Sequence, residues 1–236
     1  MRTDKFLADS LLISRSEARE LIKRRLVSRE GVIIKDFGCD IKYGECLLCE
    51  GVTLFCREFI YLIMNKPAGF VCENGVKDSV FELIPVGLRK KGLSTVGRLD
   101  KDTEGLLLIS DDGDFIHKII SPKKHIEKEY FVRLRDKIEI KTDIKEKFTA
   151  GIITNDFIAK PAEIEFTENE HEVFLTITEG KFHQIKKMFL ALDNEVIYLK
   201  RTKSGNLKLP EDLPSGQVRE LTEAEKQAIF EHQDER

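Results

Sequence analysis

No stretch of the 236-residue chain strings together the ~18 uncharged apolar residues of a membrane-crossing helix, so a membrane partner is not expected. The opening MRTDKFLADSLLISRSEAR carries acids and lacks both an apolar core and a small-residue cleavage site. It is not a secretory signal, and the expected compartment is the cytoplasm. Cysteine is scarce and odd in number, five in all, which argues against a disulfide framework in a chain of this length. Four of the five, Cys39, Cys46, Cys49 and Cys56, follow a Cys-x6-Cys-x2-Cys-x6-Cys pattern. That spacing fits no zinc module, and the segment reads as short strands in which cysteine is a small apolar residue, so no metal is expected. Internal repeats and low-complexity linkers are also missing. So is a strong net charge, the formal sum being −3.

A near-neutral sum hides local fields, and local fields are what a phosphate senses. Arg15, Arg19, Lys23, Arg24, Arg25 and Arg29 face only Glu17 and Glu20 within residues 15–29. A second basic group, Lys181, Lys186, Lys187, Lys200, Arg201 and Lys203, is interrupted only by Asp193 and Glu195. Either cluster alone reads as a solvated face. Two of them in a chain of acidic total point to RNA.

With 41% apolar residues the chain can build a conventional core, and its length favours two domains over one. Ser14-Arg15-Ser16-Glu17 has the form of a capping box ahead of a helix carrying Ala18, Leu21 and Ile22 on one face. A shorter helix is predicted before it at residues 4–10. The glycine-broken alternation after Leu26 predicts a small sheet. Residues 1–57 thus form a compact first unit and 58–236 a second. In the second, 59–64 and 106–109 are apolar strands, 114–121 is a helix stopped by Pro122, and 130–134 and 173–178 alternate as strands. Residues 181–192 predict an amphipathic helix with Phe182, Ile185, Phe189 and Leu192 inward, and Thr222–Glu225 is a second capping box. Strands and helices mix without βαβ regularity, which predicts an α+β fold with a mainly antiparallel sheet flanked by helices.

The most specific stretch is Gly97-Arg98-Leu99-Asp100-Lys101-Asp102-Thr103-Glu104-Gly105. Asp100, Asp102, Glu104, Gly105 and Asp111 fall at positions 1, 3, 5, 6 and 12 of a calcium loop. The flanking LSTVGRL and LLLI read as extended chain rather than as the helices such a loop needs, so calcium is rejected.

This nine-residue stretch resembles the signature of the pseudouridine synthases, in the branch that modifies ribosomal RNA. Lys66-Pro67-x-Gly69, Ser121-Pro122, Glu127-Lys128-x-Tyr130 and 176–189 (TITEGKFHQIKKMF) resemble further elements of that family in the same order. So do Leu199, Arg201, Gly205 and Leu221-Thr222-Glu223. Asp4-Lys5-Phe6-Leu7 with Ser14–Ala18 resembles the RNA-binding module named after ribosomal protein S-four. His183-Gln184-Ile185-Lys186-Lys187-Met188-Phe189 with Lys160-Pro161-Ala162 is most similar to enzymes acting on small-subunit (16S) RNA. Lys187 stands where arginine is commoner.

The resemblance implies a cofactor-free isomerase, monomeric, that turns one uridine of 16S ribosomal RNA, free or in a small-subunit assembly particle, into pseudouridine. It implies that Asp100 is the catalytic carboxylate, that Lys186 is the basic partner keeping it ionised, and that Tyr130 stacks on the uracil. Arg98 is expected to fill the gap left by the extruded nucleotide. Arg15, Arg19, Lys23, Arg24, Arg25, Lys66, His183, Lys187 and Arg201 are expected to contact RNA. The competing readings are a synthase acting on 23S RNA and a non-catalytic RNA-binding protein.

Overall fold

The computed structural model of the protein describes residues 1–121, 124–138 and 142–231. Two helices come first, α1 (Thr3–Leu11) and α2 (Arg15–Lys23). The expected capping box is present on α2: the Ser14 hydroxyl accepts from the Glu17 N–H while the Glu17 carboxylate accepts from the Ser14 N–H. A four-stranded antiparallel sheet follows, with β1 (Val27–Arg29), β2 (Val32–Ile33), β3 (Cys46–Cys49) and β4 (Val52–Phe55) in the order β2-β1-β3-β4. Phe6, Leu7, Ala18, Ile22, Val27, Leu47, Leu54 and Cys56 pack into one core drawn wholly from these elements and their connections. Cys49 and Cys56 are buried in that core, and burial pushes both thiols up.

At the base of α1, Arg2, Arg15 and Arg19 converge on the buried Asp4 carboxylate at 3.3, 2.7 and 2.9 Å. Burial opposes the Asp4 charge, but hydrogen bonds from Arg15 and Arg19 outweigh it and, with the nearby charges of Arg15 and Arg2, hold the carboxyl down to about 2.

The rest of the chain forms a nine-stranded sheet, counted among the described residues. In chain order it contains β5 (Tyr61–Lys66), β6 (Ser94–Thr95), β7 (Glu104–Ser110), helix α3 (Gly113–Ile120), β8 (Lys128–Leu134) and helix α4 (Thr142–Ala150). Then come β9 (Glu163–Phe166), β10 (Glu172–Ile177), helix α5 (Gln184–Leu190), β11 (Val196–Ser204), β12 (Leu207–Lys208), β13 (Val218–Glu220) and helix α6 (Glu223–Ala228). The strand order is β13-β5-β7-β11-β8-β10-β9, with β6 on β7 and β12 on β11. Every pairing is antiparallel except β7 with β11. This is the expected α+β arrangement.

The central strands are covered on both faces, which is why they read as unbroken apolar runs. Leu62, Met64, Leu107 and Ile109 face a core shared with α5, whereas Ile63, Leu106 and Leu108 face α3 and the Ile229 end of α6. Helix α3 ends at Ile120 with Ser121 as its cap; Pro122, expected to stop it, lies outside the described residues.

Two expectations are corrected. Helix α5 begins at Gln184 rather than at 181, because His183 takes up left-handed backbone (φ 53°) that no right-handed helix passes through. Phe182, expected to point inward, lies in the turn ahead of it and is 64% exposed.

Candidate active site

Between β6 and β7 the chain makes the turn that carries Arg98 to Thr103. Leu99 anchors it in the core, and the Thr103 N–H donates to the Asp100 carbonyl at 3.1 Å. Lys66, at the end of β5, reaches underneath. Its ammonium lies 3.0 Å from the Asp100 carbonyl, 3.3 Å from that of Lys101, 2.8 Å from that of Thr103 and 3.1 Å from that of Pro67. The loop that a motif scan would give to calcium is therefore wrapped, by its carbonyls, around an ammonium of the protein itself. Burial pushes the Lys66 amine down, while Cys72 and the charges of Asp102, Asp100 and Glu104 oppose that shift. Gly105 closes the turn at φ +100°, and a Cβ there would come within 2.2 Å of the Arg201 carbonyl oxygen. Only glycine fits.

Across the cleft, α5 is set by its own N-terminal turn. Buried Gln184 donates to the Glu179 carboxylate at 2.7 Å and accepts from the Lys181 N–H at 2.8 Å. That turn aims Lys186 and the His183 imidazole at the 100–103 loop. Lys186 Nζ lies 3.4 Å from Asp100 Oδ2 but only 2.6 and 2.8 Å from the two oxygens of Asp102. His183 Nε2 lies 3.6 Å from Asp100 Oδ1. Burial would raise the Asp102 carboxyl, but the hydrogen bond and charge of Lys186, helped by its own backbone and by His183, pull it below the usual range. The closest partner of Lys186 is thus Asp102, to which the sequence reading gave no role.

Tyr130 forms the floor. On β8 it pairs with Leu175 of β10 and Arg201 of β11, its ring is buried, and its hydroxyl has no hydrogen-bond partner among the described residues. Arg98, Asp100, Thr103, Tyr130, His183 and Lys186 all line one cleft of ≈ 70 Å³. The Thr103 hydroxyl is buried in that wall without a hydrogen-bond partner among the described residues. Arg98 is exposed at the cleft and has no ion-pair partner among the described residues.

Asp100, Tyr130 and Lys186 are therefore brought together, with Arg98 and His183 beside them. Lys187, on the outer side of α5, pairs with Asp156 at 2.5 Å. Two expected RNA contacts are corrected. Lys66 is 0% exposed, with its donors spent on the loop carbonyls; Arg201 is 3% exposed, and its Nε donates to the Leu106 carbonyl at 2.6 Å. Neither side chain reaches a phosphate from there. On α2, Arg15 and Arg19 are half-exposed but tied to Asp4, and Lys23 pairs with Glu20 at 3.5 Å. Arg24 and Arg25 are exposed without ion-pair partners among the described residues.

A carboxylate beside a lysine and a histidine, sharing one cleft with a buried tyrosine on an interior strand of a mainly antiparallel sheet, marks the chain out as one of the RNA pseudouridylate synthases. Its residues 60–191 match the sequence profile of that family, and the chain belongs to it. Among individual relatives, it is 41% identical to the ribosomal small subunit pseudouridine synthase A of Vibrio cholerae, over 98% of this chain and 100% of that protein. An uncharacterized RNA pseudouridine synthase of Bacillus subtilis is 39% identical over 99% of this chain and 100% of its own length. A crystal structure of a pseudouridylate synthase superimposes with a TM-score of 0.67 at 36% identity, covering 97% of this chain and 99% of that one.

Proposed function

We propose that this enzyme isomerises one uridine of small-subunit (16S) ribosomal RNA to pseudouridine, with Asp100 as its catalytic carboxylate. The observation that carries the reading is the placement of Asp100, Tyr130 and Lys186 around a single cleft, with Lys186 3.4 Å from the Asp100 carboxylate. In the reaction the bond from uracil N1 to the anomeric carbon breaks with its electron pair left on the base, the base turns, a bond forms from C5 to the same carbon, the C5 proton leaves and N1 takes up a proton. The sugar carbon is electron-poor midway, and an anionic oxygen held beneath it lowers that barrier. Asp100 fills that place, and the Lys186 charge 3.4 Å away offsets the cost of keeping an anion in a partly closed site. Tyr130 stacks on the uracil, and its unpaired hydroxyl faces the proton that C5 must lose. Arg98, at the mouth, occupies the space of the extruded nucleotide.

The small-subunit target is supported by likeness to the Vibrio protein across nearly the full chain. Residues 1–57, with the exposed Arg24 and Arg25, act as an S-four-like RNA-binding unit ahead of a catalytic unit, 58–236. The protein works as a cytoplasmic monomer on free RNA or on an assembling particle, and needs no cofactor. The test is tritium release from uridine labelled at C5 in unmodified 16S transcript or small-subunit particles. The wild-type protein is expected to release it, and Asp100→Asn to abolish release while RNA retention stays intact. Release by Asp100→Asn refutes the role of Asp100, and release from 23S RNA alone refutes the substrate.

A further inference from the structure

Beside the cleft, the turn ahead of α5 and the hairpin joined by the Ile153–Ile158 bridge form a ledge that the chemistry above does not use. Phe182 is its outermost ring. One face stacks on His183, with centroids 3.7 Å apart and planes 21° from parallel, and His183 in turn touches Asp100. Lys187 Nζ lies 5.1 Å from the Phe182 centroid and 5.8 Å from that of Phe157, and Lys181 Nζ lies 4.6 Å from Phe157. Lys187 is held there by Asp156, and Lys181 by the Ile158 carbonyl and Glu179. Two stacked rings, His183 and Phe182, therefore lead outward from the catalytic carboxylate, and beyond them Lys187, Phe157 and Lys181 alternate; Phe182 itself is 64% exposed. A single exposed ring is ordinary on a protein surface, but this one lies beside an ammonium group and next in sequence to two residues that line the cleft. Alternation of rings with ammonium groups is the chemistry that holds single-stranded RNA, since every base has a stackable face and every link a phosphate.

We propose that Phe182 is the stacking platform for a base immediately flanking the target uridine, with Lys187 beside the adjoining phosphate. This rests on the reading of Asp100 as the centre over which the uridine is extruded, because the ring lies one residue from the histidine that touches it. Extruding a uridine breaks its stacking with its neighbours. A platform at the rim restores that contact for one of them, whichever base it is.

The test uses the full-length protein and a small-subunit RNA fragment in which it makes pseudouridine, with an abasic site placed in turn on either side of the target. Dissociation constants and single-turnover rates are compared for wild type, Phe182→Leu and Phe182→Tyr. On intact RNA, Phe182→Leu should weaken binding between about 5-fold and about 150-fold, the range that ~1–3 kcal/mol per stacked base converts to. Phe182→Tyr should recover most of that loss. With the abasic site on the stacked side, wild type should weaken by the same factor and Phe182→Leu should lose nothing more. Binding by Phe182→Leu equal to wild type, or a loss undiminished by either abasic site, overturns the platform while leaving the assignment of the enzyme standing. A wild-type protein that makes no pseudouridine in small-subunit RNA overturns both.

Discussion

Replacing Lys66 by methionine removes the ammonium but keeps most of the side-chain volume. Lys66 is wholly buried and lies within 3.3 Å of four carbonyl oxygens, three of them in the loop that carries Asp100. Hydrogen bonds from a charged donor are worth roughly 1.5–3 kcal/mol each, so three N–H groups supply ~5–9 kcal/mol gross. Several kcal/mol of that offsets the cost of burying the ammonium, the same cost that pushes its pKa down. Methionine removes the desolvation cost but leaves the carbonyls facing a thioether, and breaking one side of a buried charged network costs about 3–5 kcal/mol. For a chain of this length that is a melting-temperature drop of roughly 10 °C.

The same substitution should act on catalysis. Once released, the loop no longer holds Asp100 to a fixed position, and a displacement of ~1 Å is enough to cost about 100-fold in rate. Thermal melting followed by circular dichroism gives the first quantity, and single-turnover pseudouridine formation well below the melting point gives the second. RNA binding supplies the discriminating third. A lysine that neutralises a phosphate contributes about one to the slope of log affinity against log salt. Lys66→Met should leave that slope unchanged, because the side chain never reaches the surface. A variant that melts within ~2 °C of wild type and binds with a shallower salt slope refutes the staple and restores Lys66 as an RNA contact.

Asp102→Asn should lower kcat by about 10-fold or more, since Lys186 loses charge-assisted bonds of ~1.5–3 kcal/mol that set its position beside Asp100. KM and melting temperature should hardly change for so exposed a carboxylate, and a kcat within two-fold of wild type, roughly the resolution of the assay, sinks its positioning role. Lys128 gives a pH test. Burial, reinforced by the Arg201 charge, lowers its amine from 10.5 to about 8. The unfolded chain then binds more protons than the folded one between those values, so stability should rise from about pH 8 to 10.5, with the penalty fully present below. Lys128→Met should stabilise the fold at pH 7 by up to roughly 3 kcal/mol and flatten that rise, as measured by urea unfolding at pH 7 and 9.5. No gain at pH 7 contradicts the desolvated, half-buried cation.

What could be read from the sequence was whatever has a local cause. The two capping boxes are built from side chains three residues apart, and both form at Ser14 and Thr222. The apolar runs of β5 and β7 announce burial on both faces by composition alone. What was missed depends on partners distant in the chain. The place of Lys66 at the end of an apolar strand gave no sign that three carbonyls of another loop would surround it. Arg201 was read as a basic surface residue because its neighbours in sequence are Lys200 and Lys203, yet strand pairing sets it between β7 and β8, where the Leu106 carbonyl takes its Nε. The helical period of 181–192 carries through Phe182 without a break. Only the left-handed backbone of His183, which a period cannot register, turns that ring outward.

The nine residues from Gly97 to Gly105 show why one loop held most of the functional signal. Leu99 is fixed by the core, and the backbone carbonyls of Asp100, Lys101 and Thr103 are fixed by Lys66. The side chains of Asp100 and Asp102 are fixed by Lys186, and Gly105 by the approach of the Arg201 backbone. Each constraint comes from a different element: β5, α5, β11 and the core beneath. A loop contacted from so many directions tolerates little variation in residue type at successive positions, which is what gives a motif its specificity. The same convergence holds the Asp100 carboxylate in the cleft that Tyr130 also lines, so the density of the motif and the order of the site have a single physical origin.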